Sequence, residues 1–513
     1  MLPSPDAPSP IIRLSPLDNV AVARLDIAPM QSLGSGDWVA RERIPRGHKV
    51  ALSPIAPGEA VLKYGQLIGV ASAALRPGEH VHLHNLAMLD SRPEHEFCSA
   101  YSPTPEVPRA QRRTFAGYMR DDGRAGTRNY IAIISSVNCS ATVSRNIVER
   151  FTRQGGLHGR TNIDGVVPLT HGGGCAISTE GEAYRLLART LQGYARNPNV
   201  GGVLMIGLGC ETNQVQRIVA DYGLTPGRTL RTFTIQEAGG TRKAIEAGCE
   251  ALAEMLDEVD SCRRSPQPLS QIRVGLQCGG SDGYSGISAN PALGCAVDLL
   301  VAQGGTAVLS ETPEIYGAEH LLTRRAASRE VAEKLLARIQ WWLTYTSRNG
   351  ATLNNNPSPG NKEGGLSTIL EKSLGAVAKG GSTALNAVYE YAERIDASGL
   401  VFMDTPGYDP VSVTGQIAGG CNLICFTTGR GSVSGFKPAP CIKIATNSQM
   451  YEHMSEDMDI DCGTIITGRQ NVADSGAEIF ERIVAVASGD QTKSETYDYG
   501  DNEFVPWQLG AVT

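Results

Sequence analysis

From about residue 114 onward the chain alternates short apolar runs with stretches of helical spacing. The runs YIAIISSV (130–137), VGGVLMIGLG (200–209), IRVGLQ (272–277), TAVLS (306–310), GLVFMDT (399–405) and NLICFTT (422–428) are continuously apolar. Strands covered on both faces read this way, whereas half-exposed strands alternate. Between them, Val331, Leu335, Ile339 and Trp342 form one stripe at helical spacing after Ser328. Asn290 with Pro291 predicts a helix start, and Gly304-Gly305 its stop. Residues 10–90 differ: IAPGEAV (55–61) and LRPGEHV (75–81) each place a Pro-Gly turn before a strand. The fold class expected is therefore multidomain α/β: a small N-terminal β module over 10–90, then α/β layering. Residues 91–113, rich in proline and without a period, predict a linker. A drop in apolar density over 257–271 splits the body into a middle domain, 114–262, and a C-terminal domain, 263–513.

Composition narrows the function classes. At 513 residues, 41% hydrophobic and 19% charged, the chain suits a multidomain globular protein. A formal charge of −7 predicts no electrostatic grip on nucleic acid. No apolar run reaches the ~18–20 residues of a membrane span, and the first residues lack a secretory layout, so the cytoplasm is the expected compartment. The twelve cysteines show no disulfide-framework spacing and are expected to be thiols.

Polar clusters follow several presumed strands, where open α/β sheets collect ligands. They contribute Cys139, then Cys210 with Glu211, then Cys278 with Asp282; HGGGC adds His171 and Cys175. Soft thiolates suit iron or zinc, although a cysteine after a buried strand is also a small apolar filler. In GEHVHLHNL, strand alternation would project His80, His82 and His84 from one face and turn Val81 and Leu83 inward. Imidazole serves both metal binding and proton transfer. Loops carrying Arg128 and Asn129, Lys362, and Arg430 suit a small anionic, hydroxyl-rich ligand. Glu311, ending AVLSET, reads as an acid, a base or a satisfied structural carboxylate. GRGSVSG is not a dinucleotide fingerprint, because its spacing is wrong and the FKPAP after it forbids the required helix. The thiols of CNLIC are expected in the core.

The stretches GYMRDDGRAGTRNY, GLGCETNQ, QCGGSDGYSGISANPALG, NNNPSPGNKEGGLSTILEKSLGAVAKGG and TTGRGS resemble the altronate/galactarate dehydratase family of hydro-lyases. KYGQLIG and GEHVHLHN resemble its N-terminal SAF module, here fused to the body. The resemblance implies a Rossmann-like C-terminal domain, a homodimer and an iron-requiring dehydratase that turns a sugar acid into a 2-keto-3-deoxy acid. The cofactor expected is Fe(II), with Mn(II) or an iron–sulfur cluster as alternatives. Family motifs fall on His82, His84, Asn85, Arg128, Asn129, Cys139, Cys210, Glu211, Cys278, Asp282, Asn355, Lys362 and Arg430. On this reading His82 or His84 transfers a proton, with Glu311 as a further acid–base candidate. Cys139, Cys210, Glu211 and Cys278 hold the metal, and Asn85, Arg128, Asn129, Asp282, Asn355, Lys362 and Arg430 bind substrate. The QCGGSDGYSG context is similar to the altronate branch, which implies conversion of D-altronate to 2-keto-3-deoxy-D-gluconate. A galactarate dehydratase, a sulfolactate sulfo-lyase, a metal-free thiol enzyme and a non-catalytic sugar-acid-binding protein are the alternatives.

Overall fold

A computed structural model describes residues 9–34, 38–89, 95–221, 223–227 and 229–510. The N-terminal module contains β1 (Ile11–Ile12), β2 (Val20–Ala23), β3 (Lys49–Ala51), β4 (Ala60–Lys63), β5 (Gln66–Ala71), β6 (His80–Val81) and β7 (Leu86–Ala87). They form two small antiparallel sheets, ordered β1-β2-β3-β6 and β4-β5-β7. Gly58 and Gly78 take positive φ (84° and 85°) at the two Pro-Gly turns, as expected.

The middle domain opens with β8 (Thr114–Met119) and β9 (Ala125–Gly126), followed by β10 (Tyr130–Ser135), β11 (Gly165–Leu169), β12 (Val200–Gly207) and β13 (Leu230–Thr234). The last four build a parallel sheet in the order β11-β10-β12-β13. β14 (Arg264–Pro268) lies inside the apolar gap that the sequence presents as a break. It is an edge strand paired antiparallel to β8, where its prolines cost no ladder bond, and Arg264 stacks on Tyr118 at 4.5 Å.

Seven parallel strands form the C-terminal sheet: β15 (Arg273–Cys278), β16 (Thr306–Leu309), β17 (Leu385–Tyr389), β18 (Gly399–Met403), β19 (Leu423–Thr428), β20 (Cys441–Ala445) and β21 (Ile460–Asp461). Their order is β17-β18-β16-β15-β19-β20-β21. All described side chains of β15 beyond Arg273 are buried, as are those of β16, β18, β19 and β20, which explains their unbroken hydrophobicity. The helix at Ser328 forms as expected, with Ser328 Oγ accepting from Val331 N at 3.3 Å. The helix after Cys278 starts instead at Ala289, with Asn290 inside it and its amide donating to Gly375 O at 2.9 Å.

The N-terminal module is no loose appendage. Val61 and Ile68 share one core with Ile369, Leu374 and the β15 residues Val274 and Leu276. Residues 95–113 run along the C-terminal domain, with Cys98 N on Thr323 O (3.0 Å), Ala100 N on Arg324 O and Val107 N on Ala302 O (both 2.8 Å). Residues 90–94 of the expected linker lie outside the described residues. No helix among the described residues is long and apolar enough to cross a membrane.

Candidate active site

The C-terminal sheet winds outward in both directions from β15 and β19, which makes the gap between their carboxyl ends a topological switch point. Above it lies a cleft of about 500 Å³, lined from the module by Arg43 and Arg46 and from the body by Asp282, Glu363, Arg430 and Asn447. Arg430 is half-exposed and stands 3.4 Å from Glu363. Arg43 and Arg46 share Asp26 at 3.6 and 3.8 Å. Three guanidinium groups around one opening suit a carboxylate with neighbouring hydroxyls.

The glycines of the 278–294 stretch serve backbone approach, but what approaches is protein. A Cβ on Gly283 would collide with the Gly47 carbonyl of the module, and one on Gly286 with Gly375 and Tyr64. Asp282 is likewise internal. Buried, it accepts from Tyr284 N (3.1 Å), Ser285 Oγ (3.0 Å), Thr446 Oγ1 (2.9 Å) and Asn447 Nδ2 (3.1 Å), tying the 282–285 turn to the end of β20. Burial raises its pKa against those hydrogen bonds. It shapes the cleft floor, with its carboxylate engaged by these four donors.

The histidines do cluster, with a fourth member the sequence reading missed. β6 ends at Val81, so the alternation stops there; Leu83 is 48% exposed instead of inward, and residues 82–85 form a turn. Ring centroids of His48–His80, His48–His82, His80–His82 and His80–His84 nevertheless lie 4.8–5.6 Å apart. Carbonyls set the tautomers. His48 Nε2–H donates to Glu363 O (3.0 Å) and His82 Nε2–H to Lys362 O (2.9 Å), and His80 Nε2–H then donates to His48 Nδ1 (2.9 Å). This leaves the Nδ1 lone pairs of His80 and His82 unprotonated. Burial, then neighbouring positive charge, pushes His80 down to about 3 and His82 to about 4. Asn85, expected to touch substrate, is buried and closes this turn, its oxygen accepting from His82 N and its amide donating to His80 O.

Beneath the switch point lies a buried charged cluster. Glu311 is held at φ 67° after β16 and meets Lys379 Nζ at 2.7 Å and Gln277 Nε2 at 2.7 Å. Lys379 also donates to Cys278 Sγ (2.8 Å), while Lys372 bridges Glu314 and Asn356 at 2.8 Å each. Gln277 reaches Asp409 at 2.8 Å, and burial pushes that carboxyl up to about 6. A ligand atom from each of Cys278, Glu311 and Glu314 lies within 4.8 Å of the others, the one such trio among the described residues. It fits a metal ion poorly: two lysine ammoniums already neutralise it, and Lys379 sits between the sulfur and Glu311. Burial, reinforced by Glu311, also raises the Cys278 pKa in the metal-free protein. A second buried triad joins the module to the body, with Lys49 and Lys63 at 2.8 and 2.9 Å from the two oxygens of Glu371.

Other expected site residues divide by location. Arg128, 2% exposed, forms a two-pronged pair with Glu495 (2.5 and 2.9 Å) and bonds to Val486 O and Asp490 O; it pins the C-terminal helices and is unavailable to substrate. Asn129 donates to Asn162 O and Val259 O from a buried position. Asn355 is exposed, and its neighbour Asn356 enters the charged cluster instead. Lys362 and Glu363 end a short helix, Pro359–Glu363, and present their carbonyls to the histidines. The proposed metal set is split: Cys278 belongs to the seven-stranded sheet, whereas Cys139, Cys210 and Glu211 follow strands of the middle sheet. Glu211 is buried and engaged by Ser136 Oγ (2.8 Å) and Gly209 N (2.6 Å), which leaves it a loop clamp.

A doubly wound sheet with an arginine-rimmed switch-point cleft, closed by a separate histidine-bearing β module, defines an α/β enzyme built for a small acid. Comparison with known proteins places it further. Three family descriptions match in succession: the altronate/galactarate dehydratase SAF domain over 9–89, the D-galactarate dehydratase/altronate hydrolase second domain over 117–260, and the D-galactarate/altronate dehydratase C-terminal domain over 269–512. The chain is 36% identical to altronate dehydratase of Bacillus subtilis over 497 residues (95% of this chain, 97% of the relative) and 37% identical to altronate dehydratase of Escherichia coli over 492 (95% and 97%). It is 36% identical to the L-threo-forming galactarate dehydratase of E. coli over 485 residues (93% and 92%). The chain belongs to the altronate/galactarate dehydratase family and is a lyase of the dehydratase type.

Proposed function

We propose that the chain dehydrates D-altronate to 2-keto-3-deoxy-D-gluconate in the switch-point cleft. The observation that carries the placement is the set of three arginines, Arg43, Arg46 and Arg430, which the module and the body present jointly to one cleft. The substrate carboxylate docks on these guanidiniums, which also stabilise the negative charge that spreads onto it as the α-proton leaves. The α-carbon lies against segment 362–364, the element shared by the cleft and the imidazoles. His82 Nδ1, with His80 behind it as an alternative, accepts the α-proton; both rings are neutral at pH 7 and so in the basic form. The imidazolium so formed hands its proton to the β-hydroxyl, which departs as water and returns the ring to neutral, and the resulting enol tautomerises to the 2-keto acid. No metal step is placed among the cleft residues, because the trio at Cys278 fits a metal poorly.

The test is product formation from a panel of D-altronate, galactarate, other aldonates and sulfolactate, with the parent protein and the His82→Ala variant. D-altronate should be consumed fastest, and the variant should lose about 10²–10⁴-fold in kcat, the range for a general base. A faster reaction with galactarate or sulfolactate overturns the substrate assignment. Full turnover by His82→Ala and by His80→Ala overturns the imidazole role.

A further inference from the structure

We propose that Cys139, Cys175 and Cys210 form a three-thiolate site for an iron–sulfur cluster at the switch point of the middle sheet. Of the twelve cysteines these three alone are exposed; the other nine are buried or partly buried. All three lie just past the carboxyl ends of adjacent parallel strands: Cys139 in the first turn of the helix Asn138–Arg153 after β10, Cys175 in the loop after β11 and Cys210 in the loop after β12. The order β11-β10-β12-β13 reverses direction at β10, so this edge is the crevice of the second parallel sheet, as the arginine cleft is of the first.

The loops are locked to one another at residues next to the thiols. Asn138 N donates to Gly173 O (2.9 Å) and Asn213 N to Gly174 O (3.1 Å), while Asn213 Nδ2 donates to Ser136 O (2.8 Å). Gly174, at φ 98°, is pressed so closely on Ser136 and Val137 that a Cβ would strike Ser136 O. The Glu211 clamp on Ser136 and Gly209 holds the third loop. Such rigid loops pre-set three sulfurs whose side chains make no hydrogen bond among the described residues. The buried Asn213 Oδ1 beside them also finds no donor. Two cavities border chain neighbours of the cysteines: one of about 430 Å³ lined by Asn138, His171 and Phe504, and another of about 410 Å³ lined by Ala176, Thr212 and Leu509.

Spacing argues against a single ion. One tetrahedral ion with metal–sulfur bonds near 2.3 Å brings its sulfurs roughly 3.8 Å apart. The three thiols do not meet even a 4.8 Å limit, which only the Cys278 trio satisfies among the described residues. Thiolates on separate irons of one cluster stand wider apart, and three of them leave one iron of a [4Fe–4S] cluster without a protein ligand, open to a small oxygen donor. Loading from a preformed cluster carrying four small thiolates is a ligand exchange. Three cysteine thiols each give their proton to a departing thiolate, three thiolates leave as thiols, and no oxidation state changes.

The test incubates the full chain anaerobically with such a preformed cluster, removes excess and measures bound iron, acid-labile sulfide and visible absorption. The parent should hold about four iron and four sulfide per chain. Cys139→Ala, Cys175→Ala and Cys210→Ala should each lose most of both, while Cys278→Ala holds the full complement. On the parent protein, alkylation mapped by mass spectrometry should label these three thiols first when cluster-free and spare them when loaded, a reading that needs no variant to fold. Equal cluster content in the triple variant, iron bound without sulfide, or unchanged alkylation after loading overturns the proposal. Because these readouts are composition and protection, they stand or fall separately from turnover in the arginine cleft.

Discussion

Replacing Glu371 by Gln should loosen the N-terminal module from the body. Both carboxylate oxygens are engaged by buried ammoniums, Lys49 at 2.8 Å and Lys63 at 2.9 Å, and one also accepts from Ser367 Oγ at 2.7 Å. Burial alone would raise the Glu371 pKa, but the two lysines hold it far below the ordinary carboxylate range, so it is ionised at neutral pH. The amide removes the charge and aims donors at donors, leaving two ammoniums facing each other without an anion. Breaking one buried pair by removing a partner costs about 3–5 kcal/mol, and here one carboxylate serves two partners. The lysines lie on β3 and β4 of the module and Glu371 on the body helix Ile369–Val377, so the loss falls on their contact. Urea unfolding followed by circular dichroism should show a fall of at least ~3 kcal/mol. Turnover should drop with it, since Arg43 and Arg46 reach the cleft only from the docked module. A Glu371→Gln protein within ~0.5 kcal/mol of the parent, the span of an ordinary surface substitution, would refute the reasoning.

Arg430→Ala should raise KM for the sugar acid about 10–100-fold with a smaller change in kcat, the loss of one charge-assisted contact of about 1.5–3 kcal/mol; an unchanged KM in steady-state assays removes this arginine from the site. For pH, the folded-state pKa values of His80 and His82, about 3 and 4, lie below the unfolded value near 6.5, so the unfolded chain binds more protons between them. Their contribution to stability is full above pH 6.5 and is lost as pH falls toward 4 and then 3, on the order of 2 kcal/mol after discounting for their solvent exposure. Thermal melts of the parent and a His80→Gln/His82→Gln variant should diverge across that window, and parallel curves would count against the assignment. Gly283→Ala should displace the module through the Gly47 carbonyl, lowering stability and activity together, whereas Gly58→Ala, with nothing within 4 Å of the added methyl but φ at 84°, should leave the cleft and KM intact.

Layering and strand ends were legible because they rest on local pattern. Continuous apolar runs marked six of the strands of the two parallel sheets, and placing chemistry after them singled out Cys139, Cys210, Cys278 and Glu311 as candidates. Which side chains remain free for a ligand was not legible, because that depends on partners distant in sequence. Arg128 looks available in GRAGTRNY until Glu495, 367 positions away, takes its guanidinium. Asp282, Asn129 and Glu211 are lost to the same kind of long-range satisfaction. Conversely His48 sits alone in PRGHKV and joins the imidazole cluster only through the pairing of β3 with β6. One local signal was present and unread: STILEKSLGAVAKGG puts Glu371, Lys372 and Lys379 among small apolar residues, and charges on an otherwise buried helix need partners.

The two parallel sheets solve different problems with the same geometry. In the seven-stranded sheet the crevice is filled from outside: the module supplies Arg43, Arg46 and the imidazoles, and its Lys49 and Lys63 reach through to Glu371. Buried ions on both sides of a contact make partial docking costly, because an undocked module would strand Glu371 without a counter-charge in an apolar setting. The contact is thus close to all-or-none, and the cleft arginines are either all present or one alone. The middle sheet has no such cover among the described residues except the tail around Phe504–Leu509, and its crevice keeps three thiols open to solvent. An enzyme that needed only the arginine cleft would gain nothing from three exposed, oxidation-prone sulfurs held on interlocked loops. Their exposure, in a protein whose other nine thiols are buried or partly buried, is explained if something soft and anionic-donor-seeking normally covers them.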